Sequence, residues 1–225
     1  MGVEEELVPY VVFTIGPVEV TSTVVTTWLV MAFLTITSYL IGRNLKMRPN
    51  VFQNILEWMV EAIDGLLRDM VGKGSRVLLP FVGTLAIFIA VANLTGLLPG
   101  LKAPTTDINT PLALALIVFF SVHYYGIKRH GLRRHLKHYL EPIFLMLPIH
   151  LASEVARTIS LTFRLFGNMM GEEIVVSILL LVLPLFVPVP MMIFGIFTGF
   201  IQAYVFTVLT ITYLAGAVKA REGAT

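Results

Sequence analysis

Residues 142–183 read PIFLMLPIHLASEVARTISLTFRLFGNMMGEEIVVSILLLVL. The stretch is apolar enough to cross a bilayer, which takes about 20 such residues, yet it carries Glu154, Arg157, Arg164, Glu172 and Glu173. As one helix it would be roughly 63 Å long, against a hydrocarbon core of about 30 Å. No strong break falls between Pro148 and Pro184. Two crossings would fit the length, but they would send Lys219 and Arg221 to the side opposite the other basic residues. The stretch therefore reads as one helix lying about 60° from the membrane normal, where ordinary tilts average about 20°.

Outward from it, four more segments are long enough to span: Val20–Gly42, Val77–Leu98, Ile108–Ile127 and Val189–Val218. The last is also long and calls for extra tilt, with Pro184, Pro188 and Pro190 marking the turn before it. Such a pair of shallow helices suggests a surface wrapped along a curved partner. Residues 51–71 differ. Phe52, Ile55, Leu56, Met59, Ile63, Leu66, Leu67 and Met70 recur at helical spacing, and Glu57, Glu61, Asp64 and Arg68 fall opposite. This predicts an interfacial amphipathic helix whose acidic face is solvated or, as the alternative, docks a partner. The fold class is all-α integral membrane, a single domain over residues 1–225. It has five transmembrane helices and one interfacial helix.

Composition agrees. Of 225 residues, 56% are hydrophobic and 13% charged, about half the charge of a soluble domain. A net charge of +2 gives no electrostatic footing for nucleic acid. The absence of cysteine excludes thiol catalysis and Cys-ligated metals, and nothing in the sequence calls for a cofactor. The acidic start, Glu4-Glu5-Glu6, lacks the basic region of a signal peptide. Of the 16 Lys and Arg residues, Arg43, Lys46, Arg48, Arg68, Lys73, Arg76, Lys128, Arg129, Arg133, Arg134, Lys137, Lys219 and Arg221 fall on one side of the spans. That side is cytoplasmic by the positive-inside rule, with the N-terminus outside.

A charge within the bilayer costs about 2.5 kcal/mol or more and is a functional hypothesis by default. Glu154 and Arg157, three residues apart, read as a structural pair, and His150 as a polar wall residue. Arg164 has no acidic residue of its own helix at i±3 or i±4. At 100° per residue it shares a stripe with Ser160, Gly167 and Gly171, a small-residue face that admits a close neighbouring helix. Glu173 lies about 180° around from Arg164, toward the last span, and Glu172 about 80° around. Gln202 is the strong polar group of the last span, serving as packing glue or as part of an ion path beside Glu173.

These residues also carry a resemblance. Ser160-Leu161-Thr162-Phe163-Arg164-Leu165-Phe166-Gly167-Asn168-Met169 resembles the signature of the ATP synthase a subunit family. So, in the same order, do Asn93-Leu94-Thr95-Gly96-Leu97-Leu98-Pro99, Pro104-Thr105-Thr106-Asp107-Ile108-Asn109 and the run from Gln202 to Thr210. The resemblance covers nearly the whole chain. It implies a non-catalytic stator subunit in a bacterial-type plasma membrane, partnered by a ring of c subunits and the b subunits of the peripheral stalk. It implies two offset half-channels carrying ions, here read as protons. Arg164 would match the arginine facing the ring carboxylate, where a fixed cation in low dielectric favours the ionised form. Glu173, with Gln202 and Asn168, would match the outer half-channel, and Ser160 the inner side. Some members carry His where Gly195 stands and Gly where Glu172 stands, so Glu172 and Gly195 resemble a compensated pair. Thr158, where many members have Pro, reads as tolerated variation.

Two other classes were weighed. A proton-coupled secondary transporter of a small anion would show internal repeats and broken helices, and neither is evident. An intramembrane enzyme would need a nucleophile elbow, an H-E-x-x-H or a P-loop, and none is present.

Overall fold

The computed structural model describes residues 11–16, 18–43, 51–72, 74–98, 101–131, 147–182 and 188–219. Strands β1 (Val11–Ile15) and β2 (Val18–Thr21) pair antiparallel. Helices α1 (Ser22–Arg43), α2 (Val51–Val71), α3 (Leu79–Thr95), α4 (Asn109–His130), α5 (Leu147–Val182) and α6 (Pro188–Lys219) follow, with 3₁₀ turns at Ser75–Val77 and Pro104–Thr106.

Among the described residues four helices are long and apolar enough to cross a bilayer: α1, α4, α5 and α6. Lipid offers no hydrogen bonds, so their hydroxyls turn inward to the backbone. Thr27 donates to the Thr23 carbonyl, Thr35 to Met31, Thr207 to Ala203 and Thr210 to Phe206, at 2.7–2.9 Å. At the end of α1, Arg43 donates to the Tyr39 hydroxyl at 3.0 Å and lies over its ring, as a cation does where its stem is in lipid and its head is not.

The expected second span, Val77–Leu98, is shorter. Val77 belongs to a 3₁₀ turn and α3 has 17 residues, about 26 Å of helix. Its Val82, Ala86, Ile89 and Ala90 are buried, and it packs on α6, α1 and α2. α3 is thus a core element, surrounded by protein where α1 is exposed. The first span starts later than expected, because Val20 belongs to a hairpin that the search for long apolar runs passed over. Its signal was present: β-branched residues on both sides of Gly16-Pro17, with Gly16 at φ +62°.

α2 is amphipathic as expected. Ile63, Leu67 and Val71 are buried against α3 and α6, while Glu57, Glu61, Arg68 and Asp69 are exposed. Asp64 is half-buried and paired with Arg68. Ile55, assigned to the apolar face, instead points outward beside the exposed Trp58.

α5 runs unbroken from Leu147 to Val182, about 54 Å. Residues 142–146 and 183–184 of the expected helix and turn lie outside the described residues. So do Lys46, Arg48, Lys73, Arg133, Arg134, Lys137 and Arg221. Pro188 and Pro190 sit in the first turn of α6, where a missing N–H costs nothing, so they start the helix after the turn. α6 is the centre of the bundle, packed on α2, α3, α4 and α5 through Ala203, Phe206, Ile211 and Leu214.

Candidate functional site

α5 has two faces. Leu161, Leu165 and Met169, at i, i+4 and i+8, are buried on the side packed against α4 and α6. Ser160, Arg164, Gly167, Asn168 and Gly171 are exposed. Arg164 makes no ion pair among the described residues. A Cβ added at Gly167 or Gly171 would meet nothing within 4 Å. Among the described residues nothing covers the arginine stripe.

Beside the stripe, α5 and α6 exchange polar contacts. Asn168 Nδ2 donates to Gln202 Oε1 at 2.7 Å. Gln202 is buried, and its Nε2 has no acceptor in the structure described. One turn further along α5, Thr198 donates to Glu172 Oε2 at 2.9 Å, its hydroxyl also lying 3.1 Å from the Gly195 carbonyl. A Cβ added at Gly195 would fall on Glu172 Oε1 and lie 2.7 Å from its Cδ. The carboxylate therefore occupies the volume that a side chain at 195 would take. The two positions that looked like a compensated pair are in contact.

Glu172 is the acid whose contacts with Thr198 and Gly195 of α6 are resolved. Glu173 lines a cleft of about 100 Å³ with Lys102, Asn93, Ser177 and Met192, Glu172 forming another part of the wall. Gln202 pairs with Asn168.

The cleft rests on a buried polar clamp. Asn93 of α3 donates through Nδ2 to the Gly199 carbonyl of α6 at 3.1 Å, and its Oδ1 accepts from the Thr105 hydroxyl at 2.9 Å. Gly199 permits the approach, since a Cβ there would be 3.2 Å from Asn93 Cβ. Asp107 accepts from the Thr23 hydroxyl of α1 at 2.7 Å, and from the backbone N–H and side-chain amide of Asn109 at 3.1 and 2.9 Å. Asn93, Thr105 and Asp107 belong to the motifs that carry the family resemblance, and their tertiary contacts appear only in the fold. Asn93, a polar residue within the apolar run of α3, was the available signal.

At the other end of α5, Arg157 Nη1 is 3.9 Å from Glu154 Oε1, the pair expected at that spacing, and the guanidinium lies over the Tyr213 ring of α6. His150 is half-buried on the same end.

The ATP synthase A chain family model matches residues 24–215. A protein named ATP synthase subunit a 2 from Bradyrhizobium sp. is 48% identical over 92% of this chain and 92% of its own length. ATP synthase subunit a 2 from Pelobacter propionicus is 44% identical over 93% of this chain and 92% of its own. ATP synthase subunit a from Moorella thermoacetica is 42% identical over 93% of this chain and 96% of its own. A buried core of helices, an arginine stripe facing outward and this match over most of the chain agree: the chain belongs to the ATP synthase A chain family, non-catalytic membrane-sector subunits that serve ion transport and ATP synthesis.

Proposed function

We propose that this chain is the ion-conducting stator subunit of an F-type ATP synthase. It supplies two offset half-channels to a rotor ring of c subunits, with Arg164 facing the ring carboxylate. The observation that carries this reading is the open stripe: a cation deep in an apolar helix, on one face with Gly167 and Gly171 and left open by the other described residues. An intramembrane charge calls for a partner, and small residues let a neighbouring helix approach closely. A carboxylate on that helix would complete the pair.

In this reading the cleft lined by Glu173 and Glu172 is the mouth of the outer half-channel, leading to Asn168 and Gln202. The buried donor at Gln202 Nε2 supports it. Leaving such a donor unsatisfied costs about 1–3 kcal/mol, a cost that a water on the path, accepting from it, would offset. Ser160 marks the inner side. Arg164 separates the two, so an ion passes from one to the other by riding the ring. The chain crosses the plasma membrane five times, α3 being the short crossing, with its N-terminus outside and its C-terminus cytoplasmic. The b subunits of the peripheral stalk hold it against the rotor.

The test is ATP-driven ion pumping by vesicles containing the complex with Arg164→Gln. Pumping is expected to fall to background with the complex still assembled. Near-normal coupled pumping would overturn the assignment.

A further inference from the structure

We propose that the basic end of the bundle holds a binding site for the phosphate of an anionic phospholipid, in the cleft between the turn before α3 and the last turn of α4. This cleft, about 250 Å³, is lined by Gly74, Val77, Leu78, Tyr125, Lys128 and Arg129, with Val218 of α6 as a further wall. It lies apart from the arginine stripe and the outer cleft, and the proposal stands independently of the half-channel reading.

Three features build the site. First, its charge is one-signed. Lys128 and Arg129 are exposed, and among the described residues no carboxylate lines the cleft and neither cation makes an ion pair. Lys128 is held over the Tyr124 ring, 5.7 Å from its centroid. The N-terminus of α3 opens immediately after Leu78, adding the positive end of a helix dipole.

Second, backbone geometry makes the room. Gly72 and Gly74 both have positive φ, +83° and +89°, a conformation that disfavours a side chain. Arg129 Nη1 lies 2.9 Å from where a Cβ on Gly74 would sit. The guanidinium lies in the space that a side chain at Gly74 would share.

Third, the walls are amphipathic in the way a phospholipid is. The apolar part of α4 ends at Arg129, so the two cations stand at the limit of a span. The remaining wall is hydrocarbon: Leu78 and Val218 are buried, and Val77 is 60% exposed at the rim. Free phosphate would engage the cations and gain nothing from these groups. A phospholipid sets its phosphate on the cations and its acyl chains along Val77, the arrangement by which basic pockets at helix ends select anionic headgroups.

The test uses the assembled complex, with its other chains free of reactive cysteine. Because this chain has no cysteine, Val77→Cys gives a single attachment point for a fluorophore at the rim. The complex is placed in phosphatidylcholine vesicles containing brominated phosphatidylglycerol or, separately, brominated phosphatidylcholine as quencher. Phosphatidylglycerol is expected to quench at a lower mole fraction than phosphatidylcholine. Each charge removed should weaken that preference about fivefold, so Lys128→Gln with Arg129→Gln should abolish it. Lys128→Arg with Arg129→Lys should retain it, as should Arg43→Gln, which removes a basic residue outside the cleft. Equal quenching by both lipids on the unaltered cleft would overturn the proposal, and this arm does not depend on the neutral variant assembling. So would an equal loss with Arg43→Gln, which would indicate diffuse attraction to a basic surface. Inorganic phosphate at constant ionic strength should leave the preference intact. Displacement of the lipid by it would mean that the occupant is a small free anion, and the lipid site would be withdrawn.

Discussion

At the scale of single residues, Arg164 and Glu172 depend on different surroundings. Arg164 stands on a face left open by the other described residues, so it adds little to packing among them, and in the proposed reading its contribution lies in what it offers a partner. Replacing it by Lys keeps the charge and removes the planar fork, and a compact ammonium does not reproduce bidentate contact with a carboxylate. Arg164→Lys is therefore expected to abolish ATP-driven pumping almost as fully as loss of the charge, while the complex still purifies intact. Pumping above about a tenth of the parent rate would mean that the fork is dispensable. Glu172 is enclosed by α6, with Gly195 behind it and Thr198 beside it. Gly195→Ala alone should force the carboxylate from its place and lower pumping several-fold. Glu172→Gly should also impair transport, and adding His at Gly195 in that background should restore part of it, because the vacated volume is where that side chain would go. If Glu172→Gly pumps normally, Glu173 serves the outer path alone.

At the scale of elements, the Asn93 clamp joins α3 to α6 and to the 103–107 segment. Asn93→Leu is close in size, but it removes both hydrogen bonds and leaves the Gly199 carbonyl and the Thr105 hydroxyl buried. Each unsatisfied group costs about 1–3 kcal/mol. Thr105→Val removes one hydrogen bond and leaves Asn93 Oδ1 without that donor. Asn93→Leu is accordingly expected to lower the thermal stability of the detergent-solubilised complex, and Thr105→Val to lower it less. The double variant should be no worse than Asn93→Leu, because the two changes share one network and are not additive. Strictly additive losses would mean that the two residues act separately. α2 gives a contrast. Its Arg68–Asp64 pair has an exposed guanidinium, and pairs of this kind contribute at most about 1 kcal/mol. The helix is held by Ile63, Leu67 and Val71, which lie in the core.

At the scale of the whole molecule, the question is access from two sides. Glu173 and Ser177 line the cleft beside Lys102, whereas Ser153 and Ser160 are exposed on the other half of α5. Single cysteines at Glu173, Ser177, Ser153 and Ser160, in a chain with no cysteine of its own, report which aqueous side reaches each. The first two are expected to react with a membrane-impermeant thiol reagent mainly from outside, and the last two mainly from the cytoplasm. Equal reaction from both sides at all four would indicate one continuous pore, through which ions would leak without turning a rotor. Gly195 and Gln202 suit this test less well. Both are buried, and a cysteine at Gly195 would strike Glu172.

Membership of the membrane class, the long helices and the arginine on a small-residue stripe were legible in the sequence because each depends on local pattern. Span length, 3.6-residue periodicity and the spacing of Arg164, Gly167 and Gly171 need no knowledge of which helices touch. The pairing of Glu154 with Arg157 was legible for the same reason, being three residues apart on one helix. Helix rotation was decided by the tertiary structure. Glu172 and Glu173 are adjacent in the chain and about 100° apart around α5. Only the packing of Leu161, Leu165 and Met169 turns Glu172 toward Gly195 and Thr198 and leaves Glu173 in the cleft. The same holds for Gln202, which took Asn168 as its partner, and for Asn93, whose contacts at Thr105 and Gly199 lie 12 and 106 residues away. α3 also needed the fold. Its apolar residues satisfy a membrane criterion and a protein-core criterion equally well, and its neighbours α1, α2 and α6 decide that most of them face protein.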